Sequence, residues 1–208
     1  MSEFEPDPGF AHIEARIGAI LAGRVPGRLG DLDPQRARLH DPDLVRAAVA
    51  LLLERVPGYN VVLTKRTQDV EHHKGEISLA GGMQDPTDSD LVATALRELH
   101  EEIGIDPGTV RVLGRLDDLA TVTGFLVTPI VAAIDAGHAF RPHQAEVERV
   151  LRVPLAVLRD PTHWFDDIRS WRGRTYALRS CRYGPDVIWG ATSRILQHFL
   201  AVIPPQVL

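Results

Sequence analysis

An α+β fold is predicted by three features of this 208-residue sequence. Two apolar runs, 47–53 and 60–66, are separated by Pro57 and Gly58, which is typical of two paired strands. A segment that ends at Gly104 carries its apolar residues at helical spacing. Strand and helix patterns then follow one another without the regular alternation of βαβ units. This order favours α+β over a doubly wound parallel sheet.

Composition and charge limit the classes of protein to which this chain can belong. The hydrophobic fraction of 44% and the charged fraction of 25% are ordinary for a globular domain. A net charge of -5 argues against a surface that coats nucleic acid. Cys181 is the single cysteine, which excludes an intramolecular disulfide, indicates a reducing compartment and suits a core residue. With neither a signal-peptide pattern nor an apolar run long enough to cross a membrane, we expect a cytoplasmic monomer or homodimer.

The N-terminal part is expected to form a helix followed by a linker. Phe10, Ile13, Ile17 and Ile20 recur at helical spacing and predict a helix up to about Ala22. Glycines, prolines and charges then follow without a period, which predicts a loop or linker over 23–42. We therefore expect an N-terminal helix and linker over 1–43 and one domain over 44–208.

The first strands and loop come next. The run 47–53 is predicted to be a buried strand, although its alanines and leucines also suit a helix. The partner strand is predicted over 60–66. The stretch 67–82 has few periodic apolar residues and is predicted to be a loop that carries polar side chains, including His72 and His73.

The main helix and the C-terminal half are predicted as follows. Asp88 or Ser89 can cap the helix, and Gly104 ends it. Strands are expected at 110–116, 126–134 and 146–153, with a turn over 121–124 and a short helix over 155–158. A late hairpin is expected from strands 171–176 and 183–188, and a closing helix over 192–202.

Three carboxylates stand at helical spacing within the main helix. At about 100° per residue, Glu102 lies roughly 40° from Glu98, and Glu101 roughly 60° to the other side. All three are therefore predicted to project from one flank, where like charges repel one another. A divalent cation would remove that repulsion, because hard ions bind carboxylate oxygens. A solvated acidic face is the alternative interpretation of the pattern alone.

The surrounding residues resemble the Nudix box, the signature of hydrolases that act on nucleoside diphosphates linked to another group. The matching residues are Gly81, Gly82, Arg97, Glu98, Leu99, Glu101, Glu102, Gly104 and Ile105. The resemblance implies a mixed sheet between helices (α/β/α) and a pyrophosphatase that depends on Mg²⁺ or Mn²⁺.

The resemblance also implies roles for single residues. The expected metal-binding residues are Glu98, Glu101, Glu102 and the backbone of Gly82. The expected catalytic residues are Arg97, Glu101, Glu102 and Glu146. Arg97 corresponds to the family arginine that braces a catalytic glutamate. Glu146 is preferred to Glu148 as the further carboxylate from outside the helix.

The loop resembles the coenzyme A pyrophosphatase branch of that family. Asp85 and Asp88 stand where the general box has a glutamate, and the interval from Gly82 to Arg97 is one residue longer, as in that branch. The upstream segments 63–67 and 73–82 resemble its second motif. Departures from that motif are Glu71 for arginine, Leu79 for phenylalanine and Ala80 for proline. The expected substrate-binding residues are Arg66, His73, Gly81 and Gly82.

Three functions remain open from the sequence. The favoured one is hydrolysis of coenzyme A or acyl-CoA to 3′,5′-ADP and (acyl-)4′-phosphopantetheine. The second is hydrolysis of another nucleoside diphosphate derivative, such as ADP-ribose or NADH. The third is a non-catalytic nucleotide-binding module, which is disfavoured because all three glutamates are present. Trp189 could stack on a base or could belong to the core.

Overall fold

The computed structural model describes residues 8–29, 44–68, 74–171 and 173–208. Glu71, His72 and His73 lie outside the described residues, so the structure does not test the expected role of His73. None of the helices in the described ranges is long and apolar enough to span a membrane.

The first half of the chain contains two long helices and the strands around them. In chain order these elements are α1 Pro8–Ala22, β1 Arg28–Leu29, β2 Val45–Arg55, β3 Asn60–Arg66, β4 Ile77–Ser78, β5 Ala80–Met83 and α2 Leu91–Ile103.

The second half adds the remaining strands and a closing helix. Its elements are β6 Arg111–Arg115, β7 Asp118–Ala120, β8 Phe125–Asp135, β9 Val147–Pro154, α3 Leu155–Arg159, β10 Trp164–Trp171, β11 Arg174–Tyr183, β12 Asp186–Ile188 and α4 Gly190–Val202.

The central strand of the main sheet is β2. It runs parallel to β8 along its whole length, from Val45↔Phe125 to Arg55↔Asp135. On its other side it pairs antiparallel with β5 and, further along, with β3. The strand β3 continues past this junction and pairs with β4 and β9. A second, antiparallel sheet consists of β10, β11 and β12.

Alternation along β2 creates two buried layers. Residues 48, 50 and 52 face one way and share a core with Ala95, Leu99 and Ile103 of α2. Residues 47, 51 and 53 face the other way, into a core that includes Ile17 of α1 and Phe199 of α4. The mixed sheet thus lies between helices, and the predicted α+β, α/β/α architecture is confirmed.

The helix α1 belongs to this core. Ile17 and Leu21 are buried in the same cluster as the residues of β2. The carboxylate of Glu14 is also buried, and it accepts hydrogen bonds from the Arg55 guanidinium at the end of β2. Arg55 donates as well to Asp135 at 2.9 Å. A buried charge is retained at low cost only when it is paired in this way.

Two stretches predicted to be loops contain short strands. The predicted loop 67–82 includes β4 and β5, and the predicted linker 23–42 includes β1, whose neighbour β7 was also not predicted. These strands have two to four residues, too few for a visible alternation, and β5 is built from alanine and glycine. Their pairing is set by neighbouring strands rather than by local preference. The alternative helical interpretation of 47–53 is wrong, since that run forms β2.

The strands and the turn of the late hairpin were predicted at the wrong positions in the chain. Its turn lies between Trp171 and Arg174, and β11 covers 174–183, which was predicted to hold the end of one strand and the start of the next. Exposed charged residues such as Asp166 and Arg179 lie on the outer side of these strands and interrupt the apolar pattern. The helices over 10–22, 155–158 and 192–202 were predicted correctly within a few residues.

Candidate functional site

The site is built on α2, whose two ends are fixed by single side chains. The carboxylate of Asp90 accepts a hydrogen bond from the backbone N–H of Ala93 at 2.8 Å, and Gly104 ends the helix with φ of 72°. Asp90 is therefore the N-cap, and the prediction of Asp88 or Ser89 at this position is wrong. Asp88 has a different role, because its carboxylate is bound by Arg97.

The strand β5 passes directly beneath the helix. A Cβ atom at Gly82 would lie 2.4 Å from Oε1 of Glu98, and one at Gly81 would lie 2.3 Å from the carbonyl oxygen of Ala48. The contact at Gly81 is with backbone and leaves no room for a side chain, whereas a side chain at Gly82 would displace the Glu98 carboxylate. The two glycines therefore allow α2 and β2 to approach the strand closely, and they place backbone atoms next to the Glu98 carboxylate.

Arg97 connects the strand, the loop and the helix. Its guanidinium donates to the carbonyl oxygen of Met83 at 3.0 Å and to the carboxylate of Asp88 at 3.1 Å. It also donates to Glu98 and to Glu101, each at 2.8 Å. The hydrogen bond from Arg97 lowers the pKa of Asp88 to about 2, so this carboxylate stays charged. These contacts set the direction of the Glu98 side chain.

Glu102 is the buried member of the three glutamates, with 4% of its surface exposed. Among the described residues, its carboxylate accepts two long hydrogen bonds, from the backbone N–H of Gly81 at 3.4 Å and from Oγ1 of Thr64 at 3.5 Å. Burial raises the pKa of Glu102 to about 7, and the nearby charges of Glu98 and Glu146 raise it as well. This carboxylate needs a positive partner in order to be fully ionised near neutral pH.

The other two glutamates differ in exposure. The side chain of Glu98 is 15% exposed, and burial raises its pKa although Arg97 opposes the shift. The side chain of Glu101 is 56% exposed and is held by Arg97 at the rim of the helix. Glu98 and Glu102 thus converge toward β5, whereas Glu101 lies beside them in solvent.

Arg66 and Glu146, which come from outside α2, complete the surroundings of Glu98 and Glu102. The charge of Arg66, at the end of β3, lowers the pKa of Glu102, and its Nη2 lies 4.0 Å from Oε2 of Glu146. The charge of Glu146 acts on both Glu98 and Glu102. Glu148 lies elsewhere, since its Oε1 is 3.5 Å from Nζ of Lys65.

The structure therefore brings together most of the predicted site residues. Those that lie around β5 and the exposed flank of α2 are Arg66, Gly81, Gly82, Arg97, Glu98, Glu101, Glu102 and Glu146. Sequence reasoning missed Thr64 as a neighbour of Glu102. Strand alternation places Thr64 on the same face as Arg66 and could have indicated it.

Cys181 and Trp189 have different environments. Cys181 is fully buried in the core, and burial raises the pKa of its thiol to about 11, which confirms the expectation of a core residue. Trp189 is only partly buried, and the guanidinium of Arg169 lies 4.8 Å from the centre of its ring.

Comparisons with known proteins agree on one family. A model of the NUDIX domain matches residues 44–172. A protein from Photorhabdus laumondii, named as an uncharacterized Nudix hydrolase, NudL, is 37% identical over 172 residues, which cover 82% of this chain and 90% of that protein. The protein of the same name from Pectobacterium atrosepticum is 34% identical over 172 residues, with coverages of 82% and 88%. A crystal structure of a Nudix hydrolase from Alicyclobacillus acidocaldarius has a TM-score of 0.48 and 17% identity, with coverages of 79% and 95%.

The chain belongs to the Nudix family, because the domain match covers more than half of its residues. It is a hydrolase that acts on nucleoside diphosphate derivatives, and Nudix hydrolases generally use divalent metal ions.

The acidic residues of α2 are of the chemical type that binds a divalent metal ion. Within the described ranges, no group of three or more His, Cys, Asp or Glu side chains is already gathered closely enough to hold a metal. Glu98 and Glu102 nevertheless provide two converging carboxylates, and in the part of the chain that the structure describes Glu102 accepts long hydrogen bonds without forming an ion pair. Mg²⁺ is commonly bound through one or two carboxylates, with waters and substrate phosphates completing its shell. The donor set is therefore of the right chemical type.

The contact between Gly82 and Glu98 leads to the first prediction. Gly82→Ala would force the Glu98 carboxylate away from β5, because the new Cβ would lie 2.4 Å from Oε1. We expect kcat/KM for pyrophosphate hydrolysis to fall about 100-fold, the loss typical of a displacement near 1 Å in a reactive site. Gly27→Ala is the matched control, since nothing lies within 4 Å of its Cβ position. Equal activity of the two variants would contradict the assignment.

The raised pKa of Glu102 predicts how the stability of the metal-free protein depends on pH. The folded state binds a proton at Glu102 up to about pH 7, whereas the unfolded chain loses it near the ordinary value of 4.5. The free energy of unfolding should therefore fall by about 3 kcal/mol as the pH rises from below 4.5 to above 7. Denaturant titrations in EDTA would measure this fall as a difference between the wild type and Glu102→Gln. Parallel curves for the two proteins would show that Glu102 does not titrate in this way.

Proposed function

We propose that this Nudix hydrolase cleaves the pyrophosphate bond of coenzyme A or acyl-CoA, giving 3′,5′-ADP and (acyl-)4′-phosphopantetheine. One observation carries the choice of substrate. Arg66 comes from the upstream segment that resembles the coenzyme A branch, and its charge acts on Glu102. The upstream segment and the Nudix box therefore contribute to one site.

Arg66 is also suited to bind an anion. Its Nε is buried without a hydrogen-bond partner among the described residues, and its nearest anionic neighbour is Glu146 at 4.0 Å. A guanidinium presents several donors that match phosphate oxygens. Arg66 is therefore proposed to hold a phosphate oxygen of the pyrophosphate, next to the glycine pair of β5.

The proposed metal ligands are Glu98, Glu102 and the backbone of Gly82, with Glu101 at the rim as a further ligand. When bound, Mg²⁺ or Mn²⁺ neutralises charge on the pyrophosphate and lowers the pKa of a coordinated water. Arg97 keeps Glu98 in place through its 2.8 Å hydrogen bond. Glu102 has a pKa of about 7, so proton release accompanies its change to the metal-binding form near neutral pH.

Glu146 is proposed to accept a proton from the attacking water. Its side chain is 47% exposed, so water reaches it, and its charge acts on both buried glutamates of α2. Glu148 is less suitable, because it is paired with Lys65. Lys65 alternates with Thr64 along β3 and so faces away from Glu102.

A substrate panel tests the proposed reaction. The purified protein is incubated with coenzyme A, acyl-CoA, ADP-ribose and NADH, in Mg²⁺ and in Mn²⁺, and the products are identified by mass. We expect 3′,5′-ADP and 4′-phosphopantetheine from coenzyme A, and no turnover by Glu102→Gln at unchanged circular dichroism. Intact coenzyme A alongside cleaved ADP-ribose or NADH would overturn the choice of substrate, and full activity of Glu102→Gln would overturn the metal site.

A matched pair of variants tests the role of Glu146. Glu146→Gln should lower kcat by about 100-fold, within the range for loss of a general base. Glu148→Gln, only two residues away, should change kcat by less than about threefold, as expected for an exposed side chain outside the site. Steady-state kinetics at saturating metal measures both. The reverse order of effects would transfer the role to Glu148.

A further inference from the structure

A cavity lies beside the end of β3, on the face of the sheet opposite to α2. Its volume is about 430 Å³, and its lining is polar. Strand alternation relates it to the site already described. Thr64 and Arg66 face Glu102 and Glu146, whereas Lys65 lies between them in sequence and lines the cavity. The cavity thus begins one residue away from the proposed pyrophosphate site.

Three cationic side chains line this cavity: Lys65, Lys74 and Arg169. Lys65 and Lys74 are the only two lysines in the chain, in which every other basic side chain apart from histidine is arginine. Lysine is a compact charge that binds phosphate well. Lys65 comes from β3 and Lys74 from the turn before β4, and both line this cavity.

Two acidic residues, Glu76 and Asp186, also line the cavity beside its three cations. Asp186 is buried and is paired with Arg149, while one of its oxygens lies 3.5 Å from Nζ of Lys65. Nζ of Lys65 is also 3.5 Å from Glu148, and both distances are longer than a good hydrogen bond. Lys74 forms no ion pair within the part of the chain that the structure describes. Its side chain is exposed, so a ligand in solution can reach it.

The opposite wall of the cavity is aromatic and cationic. The guanidinium of Arg169 lies over the ring of Trp189, 4.8 Å from the ring centre, and its Nε donates to Asp167 at 2.7 Å. Asp167 and the indole ring hold Arg169 in place. A rigid guanidinium beside two lysines suits a phosphate monoester, which carries two negative charges, better than a phosphate diester, which carries one.

We propose that this cavity binds a phosphate monoester on the nucleoside half of the substrate, with Lys65 and Lys74 as the binding residues. This is the group that distinguishes coenzyme A, which carries a 3′-phosphate, from dephospho-coenzyme A, which lacks it. The inference rests on the proposed function. It assigns recognition of the extra phosphate to one face of β3 and cleavage of the pyrophosphate to the other.

The binding test uses adenosine 3′,5′-bisphosphate and adenosine 5′-monophosphate as probes, with calorimetry in the absence of metal. We expect the wild type to bind the bisphosphate at least about tenfold more tightly, the effect of one charge-assisted contact to phosphate. Lys65→Gln and Lys74→Gln should each remove most of this preference, and Lys74→Arg should keep it. Equal affinity of the wild type for the two probes would overturn the proposal.

Arg16→Gln is the matched control, because Arg16 is an exposed cation on α1 that does not line the cavity. Its Nη1 donates to the carbonyl oxygen of Gln206. The variant should bind both probes like the wild type. A preference that survives in both lysine-to-glutamine variants would overturn the proposal, as would an equal loss in Arg16→Gln. Thermal unfolding of each variant shows whether a loss of binding reflects a loss of fold.

Kinetics separate this inference from the proposed function. We expect Lys74→Gln to raise KM for coenzyme A and to leave KM for dephospho-coenzyme A and both kcat values unchanged. A wild-type enzyme that does not cleave coenzyme A contradicts the proposed function, and the binding test then decides the role of the cavity by itself. A wild-type enzyme that cleaves coenzyme A while Lys74→Gln leaves KM for both substrates unchanged contradicts the inference alone.

Discussion

The hydrogen bonds of Arg97 connect α2 to the strand and loop that precede it, and the positions of the other groups in the site depend on this connection. The same guanidinium holds the carbonyl oxygen of Met83, the carboxylate of Asp88 and the carboxylate of Glu98. Met83 directly follows the glycine pair of β5. Because a guanidinium is planar and always charged, it fixes the distance and the orientation between these elements together. The helix can then place Glu98 against the Gly82 backbone without a side chain between them.

The strand β3 divides the surroundings of the site into two electrostatic regions. On the α2 face, Glu98, Glu101, Glu102 and Glu146 outnumber the nearby cations Arg66 and Arg97, and burial makes the ionised state of Glu102 costly. On the other face, Nζ of Lys65 lies 3.5 Å from a carboxylate oxygen of Asp186 and 3.5 Å from one of Glu148. In the first region a further cation is needed to stabilise the ionised carboxylates. The second region already contains cationic side chains. Lys65 and Arg66, consecutive residues of β3, therefore lie in electrostatically different surroundings.

Much of the site was predictable because its signals are local. Helical spacing places Glu98 and Glu102 on one flank, and the glycine pair marks a close approach of backbones. Geometry that depends on distant residues was not predictable: spacing alone does not show that Glu101 is held outward by Arg97, or that Asp90 rather than Asp88 caps the helix. Short strands such as β4 were missed because their pairing comes from β3, not from their own residues.

The buried ion pair of Glu14 and Arg55 indicates how far the packed core extends along the chain. Sequence similarity to the domain family begins at residue 44 and stops at residue 172, so it excludes both α1 and α4. Ile17 of α1 and Phe199 of α4 are nevertheless buried with β2 in one core. A chain trimmed to the matched residues 44–172 would expose that face of the sheet and leave Arg55 without Glu14. The hydrophobic core therefore extends beyond the bounds of the domain match at both ends.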